Sequence, residues 1–346
     1  MPARSRTGLD RAALRADLRA ALPDATAALA LTGAIFLFLY VRVRAATSDT
    51  LAVMPFLADA NEYWMYWLCQ AFGWSALLWA WLTTMLGLLR SGPGPRRLPV
   101  SAARLERWHR STSLTTIALM FAHAAFFFAE QVRSNEDGLG PVGRVWRAFV
   151  DSFVPGGYAS GTGQVAILLG LIALYLAIPL GLLYYFRAGT GARMWRALHR
   201  FVLVVYVLSA WHTLLYGTNV WFDGWPRTTL WLLQLPVALV LLARLLEPAR
   251  RAEKSSGASP RTRVLRGVAI TATLAVIAAI VAVVVTGRDG GRTPDVPSAP
   301  MSVTADMVWV GLVVFAVAVA VTVLVVRTSA ARTPERARRD RSTTTG

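Results

Sequence analysis

The stretch "WRALHRFVLVVYVLSAWH", Trp195 to His212, decides how this chain is read. Its centre is apolar enough to sit in lipid, and a histidine bounds that centre at each end, His199 and His212. A second stretch, "WHRSTSLTTIALMFAH", Trp108 to His123, repeats the design with His109 and His123. The 346 residues contain four histidines, and these two stretches hold all of them. Ionisable side chains inside a membrane are costly and mark function by default. A bond to a neighbouring helix explains one such histidine. Four, arranged as two pairs, ask for more.

The surroundings supply the membrane. The chain is 55% hydrophobic, and apolar runs long enough to cross a hydrocarbon core of roughly 30 Å recur along it. Eight spans are expected, near 25–42, 67–89, 109–129, 164–186, 200–217, 228–246, 266–286 and 306–326. In lipid each run must satisfy its own backbone, and these runs are too long for barrel strands, so the fold class is an all-α polytopic transmembrane helical bundle. Its expected parts are an amphipathic lead (1–24), a six-helix core (25–246), a basic linker (247–265), a C-terminal two-helix hairpin (266–326) and a basic tail (327–346). The first run, Ala27 to Val41, lacks a small-residue cleavage site and is expected to stay as a signal anchor.

The formal charge of +17 would suit a nucleic-acid binder, but that function needs a basic folded domain the chain lacks, so no nucleic-acid partner is expected. Arginine retained on the cytoplasmic side explains the charge. Arg4, Arg6, Arg11, Arg15 and Arg19 precede the first span; Arg90, Arg96, Arg97, Arg104 and Arg107 lie between the second and third. Arg187, Arg193 and Arg196 lie between the fourth and fifth, and further basic clusters follow the sixth and eighth. They alternate with loops holding Asp49, Asp59, Glu62, Glu136, Asp137 and Asp151. The lead, linker and tail are therefore expected in the cytoplasm, with both termini, in a plasma or inner membrane; Arg42 and Arg44 are a local exception.

Three connections read separately. "RSGPGPRRLP" is a turn-rich link. The outer loop carries "VGRVWRAFVDSFV", expected as an interfacial helix on the bilayer surface rather than a lid, with Arg144 and Arg147 in surface roles. "GRDGGRTPDVPSAP" is expected as a disordered linker between two Ala/Val-rich helices to which no chemistry is assigned. The lone cysteine, Cys69, excludes an intrachain disulfide, a multi-cysteine iron–sulfur site and the C-x-x-C-H haem attachment motif.

Fourteen residues separate one histidine pair and thirteen the other, about 20 Å along a helix axis. The third and fifth spans run in the same direction, because one span lies between them. His109 thus falls level with His199, and His123 with His212. Two inter-helix imidazole pairs result, stacked across the membrane, as bis-imidazole ligation of two haems requires. Zinc wants ligands converging on one centre, which this separation prevents. Rotation agrees less well: fourteen residues return to nearly the same face, but thirteen leave roughly 140°, so the fifth helix must be tilted or locally irregular. Arg110 and Arg200 directly follow the inner histidines, and guanidinium forks suit anionic propionates. Positive-inside anchoring accounts for these arginines equally well. Trp108, Trp195 and Trp211 stand close to the ligands, and Tyr206 is either between the haems or packing.

At these residues the chain resembles the ferric reductase-like transmembrane domain family, which includes NADPH oxidases, ferric reductases and the haem subunit of the periplasmic methionine sulfoxide reductase system. The resemblance rests on "HR" at His109–Arg110 with His123 fourteen on, and on "WRALHR" with His212 thirteen beyond His199; it spans roughly 25–246. It implies two b-type haems passing electrons across the membrane, the inner held by His109 and His199, the outer by His123 and His212. The oxidases continue into a flavin- and nicotinamide-binding region, for which this chain shows no glycine-rich phosphate loop in a strand-to-helix context. No flavin or nicotinamide is therefore expected here. The donor is expected to be a separate flavoprotein or a membrane quinol. The acceptor is expected outside: ferric iron, oxygen or an extracytoplasmic protein. The competing reading is a haem-free transporter or scaffold with structural histidines; Pro179 and Pro236 would then mark broken helices.

Overall fold

The computed structural model describes residues 8–92, 99–159, 161, 163–247, 260–287 and 303–343. Eight helices in it are long and apolar enough to cross a membrane, at Leu22–Arg44, Trp64–Ser91, Ala102–Ser134, Gly163–Thr190, Ala192–Tyr216, Trp225–Leu246, Thr262–Thr286 and Ala305–Thr328. Each overlaps one expected span, and no strand occurs among the described residues. The chain is an integral membrane protein. Most of the "RSGPGPRRLP" link, the expected disordered linker and the greater part of the 247–265 linker fall outside the described residues.

The chain enters through α1 (Arg11–Ala20), started by Asp10, whose carboxylate accepts the Ala13 N–H at 3.0 Å. A side-chain oxygen at that position satisfies an otherwise orphaned first-turn donor. The spans α2 (Leu22–Arg44), α3 (Trp64–Ser91) and α4 (Ala102–Ser134) follow and pack as a group. Lipid removes most of the hydrophobic drive between helices, so small side chains and interhelical hydrogen bonds join them. Thr32 Oγ1 of α2 bonds Ser75 Oγ of α3 at 2.8 Å, and Ala28, Ala76 and Thr83 are buried along the same seams. Trp79 Nε1 donates to Asp24 at 3.0 Å, tying the start of α2 to α3. Ser101 caps α4 at its beginning, and Asn135, at φ 41°, stops it.

Helix α5 (Pro141–Phe153) buries Ala148, Asp151 and Ser152 while Val142, Val145, Trp146 and Phe149 face outward. Its apolar face thus points away from the protein, the arrangement of a helix resting in a bilayer interface. Arg147 is held by Asp151 at 3.0 Å and reaches Asp137 at 3.7 Å, while burial raises the Asp151 carboxyl above its ordinary pKa. Helix α6 (Gly163–Leu182) passes through Pro179 and then tightens into a 3-10 turn at Leu183–Phe186.

The fifth span is two helices, α7 (Ala192–His199) and α8 (Val202–Tyr216). Between them, the N–H groups of Phe201, Leu203 and Val204 bond the carbonyls three residues back. Such turns advance about 120° per residue instead of 100°. Three such steps recover about 60° of the roughly 140° mismatch of the thirteen-residue spacing. The expected irregularity lies immediately after His199.

The sixth span also has two parts, α9 (Trp225–Leu232) and α10 (Gln234–Leu246). Pro236 has no N–H for the Leu232 carbonyl, and the break at Leu233 leaves a carbonyl that accepts Trp81 Nε1 at 2.8 Å. The two last helices lean on different parts of the core: α11 (Pro260–Thr286) on α9 and α10, and α12 (Ala305–Thr343) on α6 and α7. Phe315 of α12 meets Phe201 edge-on. Both helices of the expected C-terminal hairpin thus contact the six-helix core.

Candidate functional site

Helices α4 and α7–α8 bring the four histidines together as two pairs. His109 faces His199 with ring centres 5.9 Å apart and planes at 79°. His123 faces His212 at 5.9 Å and 74°. Two imidazole nitrogens each about 2 Å from one ion place their ring centres about 6 Å apart, so each pair has the span of a single-ion bridge. Among the described residues no three His, Cys, Asp or Glu side chains form a group that could hold a metal ion. The donor set is two imidazoles per level, which suits an iron whose equatorial positions are already filled.

Hydrogen bonding fixes how the rings are presented. His109 Nδ1 meets the Thr83 carbonyl at 2.9 Å, His123 Nδ1 the Cys69 carbonyl at 2.8 Å, and His212 Nδ1 the Ala166 carbonyl at 2.6 Å. A carbonyl only accepts, so Nδ1 carries the proton in all three and Nε2 is left with a bare lone pair. Metal-ligating histidines show this pattern: the other ring nitrogen donates to a carbonyl, which fixes the tautomer and raises ligand basicity. His199 differs. Its Nδ1 is buried without a hydrogen bond; the Leu180 carbonyl is nearby but outside bonding geometry. The ring is instead stacked on Trp195, with centres 5.6 Å apart and planes at 25°.

Cavities adjoin both levels. At the His123 level a space of about 140 Å³ is lined by apolar side chains such as Leu77, Met120 and Leu174, with Tyr66, Gln70 and Asn219 also at its walls. At the His109 level two spaces of about 30 and 150 Å³ share His109, His199, Trp195 and Arg90. Arg110 borders the smaller, and Arg196, Arg200 and Arg244 border the larger. The two levels therefore differ in electrostatics, one apolar and one rimmed by guanidinium groups.

The sequence-predicted site residues sort as follows. All four histidines meet as paired. Arg110 and Arg200 both reach the His109 level, but Arg110 is engaged by Asp17 at 3.4 Å and Tyr184 Oη at 3.0 Å, and Arg200 is exposed. Of the three tryptophans, Trp195 touches a histidine ring; Trp108 is exposed and Trp211 packs edge-on against Trp231. Tyr206 is packing: its hydroxyl donates to Gln234 at 2.8 Å from within a cluster that includes Leu77, Ala80 and Val237. Arg90, paired with Glu106 at 2.9 Å, was read only as a topology signal, yet it borders both cavities at its level. Three glycines against the imidazoles, Gly73, Gly87 and Gly170, were also missed.

Residues 72–210 match the family model described as "Ferric reductase like transmembrane component". The match takes in His109, His123 and His199 and ends two residues before His212. The comparisons with curated proteins and with solved structures found no match. Domains of this family are generally redox transmembrane domains that typically bind haem, and support electron transfer across a membrane in general.

Proposed function

We propose that this chain, which carries a ferric reductase-like transmembrane domain at residues 72–210, conducts electrons across its membrane with two b-type haems held one above the other. The observation that carries the proposal is the presentation of the imidazoles: two facing pairs, three of whose four Nδ1 groups donate to backbone so that Nε2 is free to ligate. His109 and His199 hold the inner haem, His123 and His212 the outer. When bound, haem supplies a reversible one-electron iron couple, and the protein supplies placement and electrostatics.

The side chains divide those tasks. Arg90, Arg196 and Arg200 set positive charge around the inner level, where it balances anionic propionates. Leu77, Met120 and Leu174 keep the outer level dry, and a dry site strengthens every electrostatic interaction within it. The levels lie about 20 Å apart along α4. The basic end, with α1 and Arg187, faces the cytoplasm in a plasma or inner membrane, with both termini there. It receives electrons from a separate flavoprotein or quinol. The opposite end passes them to ferric iron, oxygen or a partner oxidoreductase outside. Residues 25–246 form the conducting core, and the last two helices buttress it.

The test is the reduced-minus-oxidised optical spectrum of the purified full chain, with haem quantified per polypeptide. Two haems per chain with a low-spin bis-histidine signature are expected. Protein that stays colourless after expression with ample haem overturns the proposal.

A further inference from the structure

The three glycines under the imidazoles share a register. In an α-helix the carbonyl of residue i bonds the N–H of residue i+4 and keeps a second lone pair. That lone pair lies beside the side chain at i+4, which is why Ser or Thr there can bond back to it. An imidazole, whose ring must lie close against the helix to reach it, approaches most easily where that side chain is missing. The accepting carbonyls belong to Cys69, Thr83 and Ala166. Four residues beyond each stands Gly73, Gly87 or Gly170.

The fit is close at all three. A Cβ on Gly73 would come within 3.0 Å of His123 Nδ1, and one on Gly87 within 3.0 Å of His109 Cε1. On Gly170 it would come within 2.8 Å of His212 Nδ1. By contrast Gly33, in α2, has nothing within 4 Å of such an atom. The fourth histidine tests the rule. Four residues beyond Leu180 is Tyr184, in the 3-10 turn that follows α6, and His199 Nδ1 is the one Nδ1 of the four that makes no hydrogen bond. Tyr184 instead packs edge-on against Trp195, the ring on which His199 is stacked.

We propose that Gly73, Gly87 and Gly170 are positioning residues, seats that let three imidazoles latch onto helix carbonyls, and that Tyr184 in the fourth seat leaves His199 as the unlatched ligand. The inference rests on the haem reading above. A latched imidazole is fixed in tautomer and rotation and is the more basic ligand. The His123 level has two latched rings and the His109 level one, so the His109 level is where an added ligand displaces a histidine first.

The test uses the full chain in detergent with Gly73→Ala, Gly87→Ala, Gly170→Ala and the control Gly33→Ala. The readouts are haem per chain, the low-spin electron paramagnetic resonance signal of each haem, midpoint potentials, and carbon monoxide binding to the reduced protein. Gly73→Ala and Gly170→Ala are expected to change the signal and raise the potential of the same haem, or to lose that haem and keep the other. Gly87→Ala acts on the second haem, carbon monoxide binds that second haem in the unmodified protein, and Gly33→Ala matches the unmodified protein. The proposal is overturned if the three seat variants match the control, or if carbon monoxide binds the haem that Gly170→Ala alters. Should Gly170→Ala, the tightest position, fail to fold, Gly73→Ala and Gly87→Ala decide the same question with less overlap. Colourless unmodified protein overturns the haem reading and the seats together; coloured protein with unresponsive seats overturns the seats alone.

Discussion

Replacing His212 with leucine tests whether the two levels are separate. The substitution removes one imidazole and its 2.6 Å bond to the Ala166 carbonyl. Interhelical hydrogen bonds in a membrane bundle average about 0.6 kcal/mol, and the Ala166 carbonyl keeps its partner in the helix ladder, so no buried acceptor is orphaned. The leucine side chain enters a space lined by Leu77, Leu171 and Leu174, which accommodates it without a new polar burial. His212→Leu is therefore expected to fold, at a cost of about 1 kcal/mol or less. Its effect on pigment is large by comparison. The remaining pair, His109 and His199, lies about 20 Å away along the helix axis, and a ligating nitrogen must come within about 2 Å of the ion. Neither histidine can substitute. Haem per chain should fall to one half, with one low-spin signal retained, as measured by haem extraction and electron paramagnetic resonance on matched protein. Full pigment, or loss of both haems from a normally folded variant, would refute the reasoning.

Other outcomes follow from single contacts. Trp195→Ala removes the ring against which His199 rests and should weaken haem retention at the His109 level alone, while Trp195→Phe keeps it; haem loss to apomyoglobin over time measures both. Thr32→Val deletes a buried bond to Ser75 and should lower unfolding stability by about 0.6 kcal/mol, read as a reduced thermal midpoint in detergent with spectra unchanged. For Asp151, burial raises the carboxyl in the folded protein, with Arg147 opposing. The folded state therefore holds this proton more tightly than the unfolded state. The resulting stability is present below the ordinary carboxylate range and lost as pH rises through the elevated folded value. Unfolding midpoints taken upward from about pH 4 should show that loss in the native chain and not in Asp151→Asn.

The spans were legible because lipid imposes one demand, a continuous apolar helix, that any sequence must display. Their ends differ by up to eight residues, as at Ala102 against an expected 109 and Ala192 against an expected 200, because the helices run on past the apolar stretch through Arg104 and Arg107 and through Arg193 and Arg196. The histidine pairing was legible from spacing and direction alone. The thirteen-residue spacing called for an irregularity in the fifth helix but could not give its place or form, the switch from i+4 to i+3 bonding just after His199. Arg110 was read toward a cofactor, yet it also pairs with Asp17, a partner far away in sequence that hydropathy does not register. The glycine seats did leave a signal. Gly73 and Gly87 stand fourteen residues apart on α3, the same interval as His109 and His123 on the antiparallel neighbour. That echo between two helices is visible only once they are known to be packed side by side.

Each level draws its imidazoles from the third and fifth spans, so during synthesis both are half-built until Ala192–Tyr216 leaves the ribosome. The third span waits beside α3 with His109 and His123 already turned by their carbonyls, a rack with one jaw in place. On the proposed haem reading, cofactor capture is coupled to the arrival of a late segment, and a chain truncated before it would engage porphyrin from one side only.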